Sequence, residues 1–123
     1  MAYTELTPEV TARTGLNPTY AAVDSANGNS FDNATEDIVL IVKNGSGGDL
    51  TVTIAIPATV DGISIDDRDV VVTTAEERVI GPFPNSLYGQ EDADNSIDEA
   101  VLVDYSTGTS VKMAVVKYGS AGY

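Results

Sequence analysis

The chain has 123 residues and a mass of 12.8 kDa, enough for one domain, since compact domains most often hold roughly 100–150 residues. Six Lys and Arg against nineteen Asp and Glu leave a formal charge of −13, which disfavours nucleic-acid phosphates and anionic membrane surfaces, because both demand clustered cations. With no Cys and no His in these residues, a disulfide framework, a thiolate or imidazole metal site and a Ser-His or Cys-His nucleophile pair are excluded.

Hydrophobic residues still make up 42%, so the acidity does not spell a disordered polyelectrolyte. The opening, Met1-Ala2-Tyr3-Thr4-Glu5-Leu6-Thr7-Pro8-Glu9, has no cationic stretch leading into an apolar run, and no signal peptide or membrane span is expected. Residues 1–29, rich in Thr, Ala and Asn with little alternation, read as an irregular arm that orders against something else, and residues 30–123 as the folded domain. Within the arm, Thr7-Pro8-Glu9-Val10 opens at most one helical turn, and Thr19 to Asp24 is a weak strand.

A second weak strand at Ser30-Phe31 precedes six clear ones: Asp37 to Lys43, Asp49 to Ile56, Asp69 to Thr73, Glu77 to Ile80, Ala100 to Tyr105 and Ser110 to Tyr118. Asn44-Gly45-Ser46-Gly47-Gly48 reads as a hairpin between the first two clear strands, and Tyr105 to Thr109 as another. Leu50, Val52, Ile54 and Ile56 alternate with Thr51, Thr53 and Ala55, so one face of that strand is buried. About eight short strands at this spacing predict an all-β fold, an antiparallel β-sandwich. Thr74-Ala75-Glu76-Glu77 and Pro84 to Tyr88 are short turns.

Three features invite chemistry. Glu91 to Glu99 holds oxygen ligands at near-alternate positions, with Asp92, Asp94 and Asp98 as candidates for Ca²⁺ or Mg²⁺; a solvated acidic loop is the other reading, and the calcium-loop Gly and bidentate Glu are missing. Asp61 to Asp69 is a second acidic cluster, in which Asp61-Gly62 makes a turn and Arg68 pairs with a neighbouring carboxylate. In Gly81-Pro82-Phe83-Pro84 the prolines end a strand and hold Phe83 extended, either to cap its own core or to plug a partner's pocket. No carboxylate pair stands out as an acid and base, so no enzyme is expected. Asp outnumbers Glu twelve to seven and Lys falls to three, which suits a protein of a salt-loving source; acidity for solubility alone is the plainer reading.

Gly15 to Ala22, the run from Ile38 through Lys43-Asn44-Gly45, Leu50 to Gly62, and Glu77 to Pro84 together resemble a family of small structural proteins of tailed double-stranded DNA viruses, encoded with virion head genes and taken to be head decoration (cement) proteins. The resemblance spans residues 14–118. It implies a jelly-roll-like sandwich made in the host cytoplasm and placed on the outer surface of the capsid, with the major capsid protein as partner and no cofactor. It also implies a homo-oligomer, a trimer ahead of a pentamer or hexamer. The arm, the Gly81 to Tyr88 loop and the tail from Tyr118 are then the expected contacts, with Tyr20, Phe83, Tyr88 and Tyr123 as the anchoring side chains. The acidic segment at Glu91 to Glu99 and the high charge depart from that family. Competing readings are a tail, head-completion or spike component, and a cation-dependent carbohydrate-binding module using Glu91 to Glu99 beside Tyr88.

Overall fold

Val, Ile and Thr are stiff at χ1 and favour extended backbone, and the intervening Gly, Asn and Asp cut that backbone into short runs. The computed structural model describes residues 3–118. Its strands are β1 (Thr4–Leu6), β2 (Glu9–Val10), β3 (Ala21–Ala22), β4 (Asn29–Asp32), β5 (Ile38–Asn44), β6 (Leu50–Ile54), β7 (Thr59–Val60), β8 (Ile63–Ser64), β9 (Arg68–Val72), β10 (Glu77–Ile80), β11 (Gln90–Asp92), β12 (Ile97–Tyr105) and β13 (Val111–Lys117). Among the described residues, helical structure is confined to α1 (Asn85–Tyr88) and a 3-10 turn (Ala93–Asn95), so the protein is all-β as expected. No helix among the described residues is long and apolar enough to cross a membrane.

One sheet is ordered β1-β4-β12-β6-β9, with β11 also on β12; the other is ordered β10-β5-β13-β2, with β3 also on β13. Strands β7 and β8 form a separate hairpin. In β6 the alternation is realised residue by residue, with Leu50, Val52 and Ile54 buried and Thr51 and Thr53 half-buried. Phe31, Val101 and Val103 of the first sheet share one apolar cluster with Leu40, Val42, Met113 and Val115 of the second. Each such side chain contributes about 1.5–3 kcal/mol by leaving water. The Tyr105 hydroxyl, its pKa pushed up chiefly by burial, donates to Met113 Sδ of the opposite sheet at 2.7 Å.

Three expectations are revised. Both predicted hairpins are corners between sheets: the Gly45–Asp49 turn takes β5 of the second sheet to β6 of the first, and residues 106–110 take β12 to β13. Asn44 holds the first corner, its side-chain amide donating to the carbonyls of Gly48 and Val72 at 2.8 Å each. The sheets are also mixed, not purely antiparallel: β1 runs parallel to β4, with Thr4 opposite Asn29, and β2 runs parallel to β13, with Glu9 opposite Val116. Parallel neighbours need long connections, and residues 7–28 and 11–110 provide them. Finally, the acidic segment is largely strand: Asp92 of β11 faces Ile97 of β12 across the 3-10 turn.

Residues before Asn29 thus contribute three short strands, β1 on the first sheet and β2 and β3 on β13. One hydrogen bond adds to this anchoring, the Tyr3 hydroxyl donating to Asp104 at 3.2 Å, and within the segment the Thr4 hydroxyl donates to Asp24 at 2.6 Å.

Candidate functional site

Asp92, Asp94 and Asp98 do not share one environment. Asp92 is buried at the end of β11, where its carboxylate accepts from the Ser30 hydroxyl at 2.6 Å and from the Asn95 amide at 2.8 Å. Its inward direction follows from the pairing with Ile97, which is buried as well. Asp94, on the 3-10 turn, and Asp98, on β12, face solvent. Among the described residues, no group of three or more Asp and Glu is placed to hold a metal ion.

Phe83 and Tyr88 lie inside the molecule. The Phe83 ring packs between Phe31, centroids 5.7 Å apart, and Tyr88, edge-on at 5.4 Å. Such aromatic pairs add about 0.5–1.5 kcal/mol beyond their buried area. The loop is pinned from both sides: Asn33 donates to the Phe83 carbonyl at 2.6 Å and to Asn85 Oδ1 at 2.9 Å, and the Asn85 amide returns to the Asn33 carbonyl at 2.9 Å. Arg68 Nε donates to the Tyr88 hydroxyl at 3.4 Å. The loop therefore presents Pro82, Pro84, Ser86 and Leu87 to solvent, and Phe83 serves as the cap of its own core.

Tyr20 is half-buried and bridges an ion pair. Lys43 and Glu77 stand opposite each other on β5 and β10, 4.0 Å apart. The Tyr20 hydroxyl donates to Glu77 at 3.0 Å while the Lys43 ammonium sits 3.9 Å from the ring centroid. Burial first, then the Glu77 hydrogen bond and charge, push the hydroxyl above the usual tyrosine range. Residues 11–20, which leave the Lys117 end of β13 and return at its Met113 end, are fastened to the second sheet by this contact. Tyr123 lies outside the described residues; Tyr118 is exposed.

The most exposed apolar side chains are elsewhere. In the β7–β8 hairpin Val60 and Ile63 are a directly opposed pair, 63% and 70% exposed. Asp61 and Gly62 between them have φ of 53° and 77°, the left-handed backbone that a two-residue hairpin turn requires. Val71 on β9 and Val79 on β10 are also exposed, and these strands are the outer members of the two sheets, joined to each other by residues 73–76. These side chains face different ways: Val71, opposite Thr51, lies on the outward face of the first sheet and Val79, opposite Ile41, on that of the second, while Val60 and Ile63 stand out on the hairpin. The signal for the hairpin was the Asp-Gly dipeptide between Val60 and Ile63.

A scan of protein-family models, a search of curated proteins and a search of solved structures each find nothing that matches this chain.

Proposed function

We propose that this chain is a structural virion protein, which decorates and reinforces the icosahedral head of a tailed virus by bridging major capsid protein subunits. The observation that carries the reading beyond the sequence resemblance is the pair of Val60 and Ile63, held out in solvent on the β7–β8 hairpin. Apolar groups displayed together on a projecting hairpin suit docking onto protein surfaces. Successive long strands change sheets, β4 to β5 to β6 and β9 to β10, then β12 to β13, which supports reading the two sheets as a jelly-roll-like sandwich. The strands of residues 4–22 and the loop from Gly81 to Tyr88 are fastened to this body, which supports a rigid bracket as the working part.

The mechanism is mechanical. Many copies assembled as a homo-oligomer, with a trimer the first choice, each add modest binding free energy across neighbouring capsid subunits and oppose the pressure of packaged DNA. A strongly acidic exterior keeps such a particle soluble at molar salt, which fits a virus of a salt-loving host. A cryo-EM map of purified virions tests the reading. Density of this size at each local threefold axis or capsomer centre on the outer shell is expected, and a bare shell with the chain in the tail or absent overturns it.

A further inference from the structure

We infer that copies of this chain associate head to tail, the Val60 and Ile63 tip of one copy seating in a recess between Val10 and Ile38 of the next. The β7–β8 hairpin belongs to neither main sheet and holds its two aliphatic side chains out in solvent, 63% and 70% exposed. On the flank closed by β2, away from β9 and β10, a recess of about 250 Å³ opens between Pro8, Val10, Ala34 and Ile38, with Asp32 and Lys117 at its wall. Val10 is itself 54% exposed there.

Charge selects this recess. Asp61 occupies the hairpin turn beside Val60, and in this recess Lys117 offsets Asp32, so the wall carries no net charge against it. A second recess of about 280 Å³, over Leu6 and Met113, carries Glu5 and Glu9 and repels the same tip. Position then sets the form of the assembly. Strands β4 and β6 both run antiparallel to β12, with Ile54 at the end of β6 and Asn29 at the start of β4 each paired to Val103. The hairpin follows the end of β6, and the recess opens where β4 finishes at Asp32. Tip and recess are therefore separate surfaces of one copy, and the contact between copies is head to tail. The inference rests on the part of the proposed function in which copies assemble, and its failure leaves the shell position to be decided by the virion map.

Analytical ultracentrifugation of the purified full chain tests it. At about 1 M salt, where the screening length is about 3 Å, the wild type is expected to sediment as a multiple of 12.8 kDa. At about 0.1 M salt it shifts toward 12.8 kDa, because the net charges of −13 repel. The double variant V60S/I63S and the recess variant A34E change exposed positions, so each is expected to keep its circular dichroism and sediment as a monomer. Mixed in equal amounts they form a 1:1 dimer and nothing larger, since each such pair retains one intact tip and one intact recess. The inference is overturned by a wild type that stays monomeric at 1 M salt, by either variant keeping the wild-type mass, or by a mixture that stays monomeric.

Discussion

The Ser30 hydroxyl donates to the Asp92 carboxylate at 2.6 Å, and both side chains are withdrawn from solvent. Replacing Asp92 by Ala leaves the buried Ser30 hydroxyl proton without its acceptor, at a cost of about 1–3 kcal/mol. Chemical denaturation of D92A is expected to show that loss, while D94N and D98N, at exposed positions, keep the wild-type midpoint. Equal midpoints for all three variants overturn the structural role given to Asp92.

Phe83 supports the core from inside, so its truncation is a stability experiment and not a binding one. F83A is expected to lose about 3–5 kcal/mol in guanidinium unfolding, as buried Phe-to-Ala changes do. A variant as stable as the wild type means that the ring does not pack against Phe31 and Tyr88.

Gly28 has φ of 79°, and a Cβ there lies 2.7 Å from the Val103 carbonyl oxygen of the neighbouring strand. Neither the left-handed backbone nor that backbone contact yields easily, so G28A is expected to cost about 1–3 kcal/mol. Gly47 has open space around it, and G47A serves as the near-neutral control in the same thermal melts.

Asp24 accepts from the Thr4 hydroxyl at 2.6 Å and from the Asn27 backbone at 3.0 Å, and these bonds, the Thr4 one foremost, hold its carboxyl below the usual aspartate range. A carboxyl lowered on folding adds stability that is present above its unfolded value of about 3.9 and is lost as the pH falls through the folded value. NMR titration of the Asp24 carboxyl carbon in T4V is expected to give a higher midpoint than in the wild type. An unmoved midpoint shows that Thr4 does not hold it.

The net charge of −13 on 123 residues makes salt a stabiliser. Raising salt from about 0.1 to 1 M shortens the screening length from about 10 to 3 Å, and Tm is expected to rise, by roughly 4 °C for each kcal/mol of repulsion removed. A flat or falling Tm overturns the idea that self-repulsion limits the fold.

The strands were legible because β-branched residues alternate with polar ones in runs such as Leu50 to Ile56, and Glu77 to Ile80 agrees with β10 end for end. Their partners were not. Asn44-Gly45 and Gly108 report where the chain turns, but whether it turns within a sheet or between sheets depends on which faces bury each other, and that is decided by residues far away in sequence. The parallel strands β1 and β2 are two or three residues long and carry no periodic signal; they exist because the edges of β4 and β13 offer unpaired backbone groups. Among the contact candidates, Phe83 between two prolines was legible as an anchored ring, and only the Phe31 and Tyr88 rings decide that it anchors inward. Asp92 was indistinguishable from Asp94 by residue type, and the pairing of β11 with β12 separates them.

Strand β13 is synthesised after every other described strand, yet β2 and β3 hydrogen-bond to it near the two ends of its length. Until residues 111–117 have emerged from the ribosome, the beginning of the chain has no edge to join on the second sheet. The earliest residues to be made are thus placed by the latest, and the final closure of the fold is an event that follows translation of this segment.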